Sequence, residues 1–204
     1  EEYRITIENG KFISPEWAVG KTSIVVDKGS LVQVEANEGF NAWQDEKGTV
    51  RNSSSYEFLV TRDMKLTAVS LEEKEPIFRV SGNQYSDPYR AEFFLDWDIP
   101  ENYTILQTDF VISYVKNGEN KSIIQQVNIR GNYNSGSKYT QPFENFAGYT
   151  VFCQFIMNLT NAENESIALE SEIMTFNFVE QKSKLAGEEA LLETYQKLNT
   201  KIEN

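Results

Sequence analysis

Apolar and polar residues alternate in short runs through the first third of the chain: YRITIENGKFI, TSIVVDKG, LVQVEAN, FNAWQD, SYEFLVT and MKLTAVSL. A strand turns successive side chains to opposite faces, so this period predicts strands with one buried face. ENGK, DKGS and DEKG between the runs are turn sequences, in which Gly supplies a positive φ. A second series follows Pro76: IFRVSG, YRAEFFLDWDI, ILQTDFVISYV, SIIQQVNIR, KYTQPFENF, YTVFCQFIMNL and ALESEIMTFNF. Two of these have a clear inward set. Ala91, Phe93, Leu95, Trp97 and Ile99 alternate with Arg90, Glu92, Phe94, Asp96 and Asp98, and the odd positions from Tyr149 to Leu159 share one face.

The alternation stops after Val179. Leu191, Tyr195, Leu198 and Ile202 recur at helical spacing and predict a helix over 181–204. LEEKEP, at 71–76, is charged and ends in Pro, which marks a boundary. The expected organisation is a small all-β domain at 1–74, an immunoglobulin-like β-sandwich at 75–180 and a C-terminal α-helix at 181–204. The fold class is mainly β. The sandwich lacks the Cys…Trp…Cys pattern of antibody domains, so a fibronectin-III-like variant is expected.

Composition narrows the chemistry. Net charge is −12, with 9 basic and 14 acidic side chains in 1–75 (−5) and 6 and 13 in 76–180 (−7). Such a surface repels nucleic acid and anionic membranes. No stretch of 18 apolar residues offers a membrane span. The chain has no His and one Cys, which removes the commonest general base and a Cys-rich zinc site. Ser53 and Ser55 lie near no S-x-x-K motif, so residues 52–55 are read as a loop. Cys153, between Val151 and Phe155, is expected to be a buried, inert thiol. Five N-x-S/T sequons, at Asn52, Asn102, Asn120, Asn158 and Asn164, are read as chance in an Asn-rich chain.

Two sets of side chains are candidates for a site. Asp96, Asp98 and Glu101, in DWDIPE, could offer oxygens to Ca²⁺. Against that stands a solvated acidic strand face, because no D-x-D-x-D-G loop accompanies them. Trp17, Tyr133 and Tyr139 fall in or beside turn-rich segments and could stack on a sugar. Trp43 and Trp97 lie on inward faces and are expected to be core. Paired carboxylates suited to glycoside hydrolysis are no more specific here than in any acidic chain.

The first part resembles the divergent B-repeat of internalin-type surface proteins. The resemblance rests on Val32–Val34–Ala36, Gly39–Phe40, Trp43–Gln44–Asp45, Gly48, Tyr56–Phe58–Val60 and Asp63–Leu66–Thr67–Ala68–Val69, and it covers residues 3–72. Asn41–Ala42 departs from the family pattern. The second part, through DIPENYTILQTDFVISY and YTVFCQFIM, is similar to sandwiches that follow such repeats in Firmicutes cell-surface proteins. The resemblance implies an extracellular, cell-surface location in a Gram-positive organism.

The reading that follows is a non-catalytic surface module pair that acts as spacer or adhesive display. The opening EEYRITI is read as the start of a mature or trimmed ectodomain. The alternative is a glycan- or peptide-binding module using its loop aromatics, with a host or cell-wall glycan or protein as partner. No enzyme activity, cofactor, nucleic acid or membrane insertion is expected, and the chain is expected to be a monomer. With both parts acidic and a charged link between them, they are expected to sit in line, with a small polar contact and no deep cleft.

Overall fold

Asn9 breaks the first alternating run. Its φ of 60° turns the chain between β1 (Glu2–Glu8) and β2 (Gly10–Ser14), and its side-chain amide donates to the Ala68 carbonyl at 3.2 Å. Asn tolerates this left-handed conformation better than most residues. The computed structural model describes residues 1–87 and 89–178, and the helix expected over 181–204 lies outside them. Six more strands complete the first part: β3 (Ser23–Asp27), β4 (Leu31–Ala36), β5 (Ala42–Asp45), β6 (Gly48–Arg51), β7 (Ser55–Leu59) and β8 (Met64–Val69). They form a five-stranded sheet, β3-β1-β8-β5-β6, and a three-stranded sheet, β2-β4-β7. β1 and β8 pair in parallel. The inward residues of both sheets meet in one core that includes Ile5, Phe12, Val34, Trp43, Tyr56, Phe58 and Leu66. Trp43 is fully buried, and its indole N–H donates to the Ser54 carbonyl at 2.8 Å.

The second part repeats the principle with larger side chains. Its strands are β9 (Ile77–Asp87), β10 (Arg90–Asp98), β11 (Tyr103–Lys116), β12 (Glu119–Val127), β13 (Tyr133–Pro142), β14 (Thr150–Asn161), β15 (Ser166–Glu170) and β16 (Met174–Asn177). β13-β10-β9 form one sheet and β12-β11-β14-β15 another, with β16 also paired to β14. The core between them is dominated by Phe, with the rings of Phe110 and Phe155 centred 4.5 Å apart and those of Phe93 and Phe110 5.2 Å apart. Each such ring contributes roughly 1.5–3 kcal/mol by leaving water. The protein is therefore mainly β, with four sheets and no α-helix among the described residues.

Alternation placed the inward face of β10 correctly: Ala91, Phe93, Leu95 and Trp97 are buried. Asp96 and Asp98, on the opposite face, are buried as well, at 4% and 7% exposure. They do not form the solvated acidic face expected for them. The reason is a third layer. The first part lies against the outer face of β13-β10-β9, where Thr61 Oγ1 donates to the Ser81 carbonyl at 3.3 Å and Tyr133 Oη to the Glu57 carbonyl at 3.2 Å. The in-line arrangement is corrected accordingly. The two parts meet side-on through buried charges, and a cleft of about 750 Å³ opens at their junction.

Candidate functional site

The junction is built from Asp45 outward. Asp45 ends β5, and its Oδ1 accepts the Lys47 backbone N–H at 2.9 Å, which closes the hairpin turn. Its Oδ2 is left for two arginines, Arg62 Nη2 at 2.6 Å and Arg79 Nη1 at 2.8 Å. The Asp45 side chain is fully buried. Burial pushes its pKa up, but Arg79 and Arg62 outweigh it and hold the carboxyl below its usual range. Arg79 is likewise held above its usual value: burial works against its charge, and Asp45, Tyr56 and Asp96 together more than offset that.

Asp96 sits on the other side of Arg79, 3.7 Å from Nε. A β-bulge positions it. Ser135 and Gly136 of β13 together oppose this one residue of β10, and Gly136 takes a φ of 71°. The bulge turns the Gly136 N–H onto Asp96 Oδ1 at 2.6 Å. Burial nevertheless dominates and raises the Asp96 pKa. One arginine thus separates two carboxyls whose proton affinities are driven in opposite directions.

Asp98 makes the next contact. It pairs with Arg51 and accepts the Asn52 backbone N–H at 2.8 Å. The Tyr133 ring covers Arg51, with the guanidinium carbon 3.6 Å from the ring centre. Burial pushes the Tyr133 phenol up to about 12. Asn52 also fastens the link between the two parts: its Nδ2 donates to the Glu75 carbonyl at 2.9 Å, and Lys74 Nζ donates to the Asn52 carbonyl at 2.6 Å.

The residues expected to form a site are distributed differently. Tyr139 packs into the second core beside Phe93, Phe110 and Phe155, and its hydroxyl donates to Gln141 Oε1 at 2.9 Å. Tyr133 belongs to the junction. Both lie on β13, but the bulge between them reverses the alternation, so one faces the core and the other the first part. Trp17 is 53% exposed in a 3-10 turn, with the Lys21 ammonium 4.6 Å from its ring centre. The three aromatics are not a shared platform. The expected Ca²⁺ set is not assembled either: Asp96 and Asp98 are taken up by Arg79, Gly136, Arg51 and Asn52, while Glu101 is exposed at the edge of a second cavity of about 760 Å³. No cluster of three or more His, Cys, Asp or Glu side chains suited to a metal occurs among the described residues. Cys153 is buried, and burial pushes its thiol up to about 12.

Sequence reading missed Asp45, Arg62 and Arg79. Arg79 offered a signal, because it is the one charge in the alternating IFRV run and stands directly opposite Asp96 in the β9–β10 register.

No family model matches the chain, and no curated protein matches it. Among solved structures it is similar to a DUF3823 family protein from Bacteroides uniformis, with 10% identity over 87% of this chain and 98% of that one and a TM-score of 0.34. The resemblance to an internalin-type B-repeat is corrected: the likeness found runs across most of the chain and is to a protein of another family. The residues that suggested the repeat have a simpler explanation. Val32, Val34, Ala36, Trp43, Tyr56, Phe58, Val60, Leu66 and Ala68 are all buried, the alternate positions that any two-sheet core must fill with apolar side chains.

Proposed function

We propose that the chain is a non-catalytic extracellular display module in which two β bodies act as one stiff unit. The observation that carries this reading is the charged seam. Arg51 pairs with Asp98 and Arg79 with Asp45 across the contact, while Arg62 shares Asp45 from within the first body and Asp96 flanks Arg79 from within the second. These groups are engaged in holding the bodies together, which accounts for the strongest cluster of ionisable residues without assigning it a reaction. The strand order also supports an immunoglobulin or fibronectin-III type of sandwich for the second body. With β9 to β14 lettered A, B, C, C′, E and F, and β15 and β16 as halves of G, the sheets become A-B-E and C′-C-F-G. Protease shaving of intact cells should release the chain. Protection until the cells are lysed would overturn the extracellular assignment, and carboxylate-dependent turnover of a glycoside or peptide would overturn the non-catalytic one.

A second reading, glycan binding, keeps one residue. Trp17 remains open, with a cation over one ring face. A glycan array should show binding that Trp17→Ala abolishes, whereas a signal unchanged in that variant would exclude this aromatic as the platform.

A further inference from the structure

The cleft at the junction is bordered by consecutive residues, 77–83 of β9 and 168–172 at the end of β15. Side chains of a strand alternate between faces, so an unbroken run lines a cleft only where the edge of the strand borders it. Both strands are terminal in their sheets: among the described residues β9 pairs only with β10, and β15 only with β14. The first body supplies the opposite wall through Lys47, Thr49, Asn52 and Arg62. The Ser81 carbonyl is taken by Thr61, and the described residues give no further backbone partner to residues 77–80. An unpaired edge of this kind is a template for another strand.

The border also has a sign. Lys47 is engaged by Glu172, and Arg62 and Arg79 are engaged by Asp45. Glu73, Glu75 and Glu170 border the same cleft and form no ion pair among the described residues. The charge left over is negative.

We propose that the open edge of β9 docks an extended, basic segment of a partner polypeptide, which adds to the β13-β10-β9 sheet as a fourth strand. Main-chain hydrogen bonds along residues 77–80 would hold it, and lysine or arginine side chains would meet Glu73, Glu75 and Glu170, the last of which also accepts a hydrogen bond from Gln154 Nε2 at 3.2 Å. Seven residues of β9 span about 23 Å at strand rise. The volume, about 750 Å³, falls within the roughly 300–1,000 Å³ usual for binding clefts. The cleft shares Asn52, Arg62 and Arg79 with the seam that carries the display reading, but the edge of β9 and the three glutamates lie outside the ion pairs of that seam, so the peptide test and the display test read different groups.

The test is selection of a random decapeptide library, displayed on phage, against the full chain, followed by titration with a selected peptide. Enriched peptides should carry Lys or Arg at alternate positions, and the bound peptide should slow hydrogen exchange at the amides of residues 77–80. Methylating the two alternate backbone nitrogens of the peptide that face residues 77–80 should weaken binding by roughly thirtyfold, the loss of two hydrogen bonds. Combined Glu73→Gln, Glu75→Gln and Glu170→Gln should weaken it by roughly three- to tenfold. Failure to enrich, acidic peptides, insensitivity to N-methylation or protection confined to another edge would each overturn the proposal. Protection of residues 77–80 that grows with protein concentration and needs no peptide would give the edge to a second copy of the chain, and would overturn it equally.

Discussion

Asp45 and Asp96 flank the same arginine, yet they answer to pH in opposite ways. The folded-state pKa of Asp45 is lowered, so its contribution is present above the unfolded value near 3.8 and is lost as pH falls through the folded value. That of Asp96 is raised, so its contribution is present below 3.8 and is lost as pH rises through its folded value. Asp45→Asn leaves Arg79 buried without its nearest carboxylate and should cost about 3–5 kcal/mol at pH 7. Asp96→Asn keeps an oxygen for the Gly136 N–H and should change stability by less than about 1 kcal/mol at pH 7. Urea denaturation of both variants from pH 3 to pH 8 checks this: the first should flatten the loss of stability on the acid side, the second the loss on rising pH. Equal costs at pH 7 would contradict the division of roles. Alternation in the sequence had already set Asp96 and Asp98 on one side of β10. It could not reveal what covered that side, because the period of a strand reports which face is opposite the core and not whether a further layer lies upon it.

At the scale of strands the sequence was far more legible, since burial of one face leaves a direct mark on composition. Short features escaped. The four residues of β6 look like the arm of a turn, and only pairing with β5 makes them a strand. The final alternating run divides at residues 171–173 into β15 and β16, a break decided by register against β14 rather than by residue type. Gly10 is another position where local reading falls short. It stands in β2 with no turn to require it, but a Cβ there would lie 2.7 Å from the Glu35 carbonyl oxygen and closer still to the Trp43 ring. Trp43 is fully buried and has no room to yield. Gly10→Ala should therefore destabilise the protein by about 1–3 kcal/mol, although alanine ordinarily favours a strand or helix over glycine. Thermal denaturation of this one variant decides the matter, and an unchanged or raised midpoint would show that the Trp43 packing is more forgiving than described.

For the whole molecule, summed charge was the wrong guide. Values of −5 and −7 suggested repulsion, but the contact itself is locally balanced. The first body brings Arg51, Arg62 and Asp45, and the second brings Arg79, Asp96 and Asp98. Charges in contact outweigh those a Debye length away, and the buried pairs are little affected by salt. The two cores should therefore unfold together in a single calorimetric transition, in 1 M NaCl as in dilute buffer. Combined Asp45→Asn and Asp98→Asn should split it into two. Two transitions in the unmodified protein would mean that the seam does not couple the cores.

The polarity of that seam has a consequence for taking the molecule apart. Apart from Leu59 against Gly136, the groups named across it are charged or polar. Interfaces closed by greasy side chains leave sticky scars when opened, and the pieces precipitate. This one is a fracture plane whose two surfaces water can wet, so either body cut free at residues 71–76 should lose its neighbour and keep its solubility.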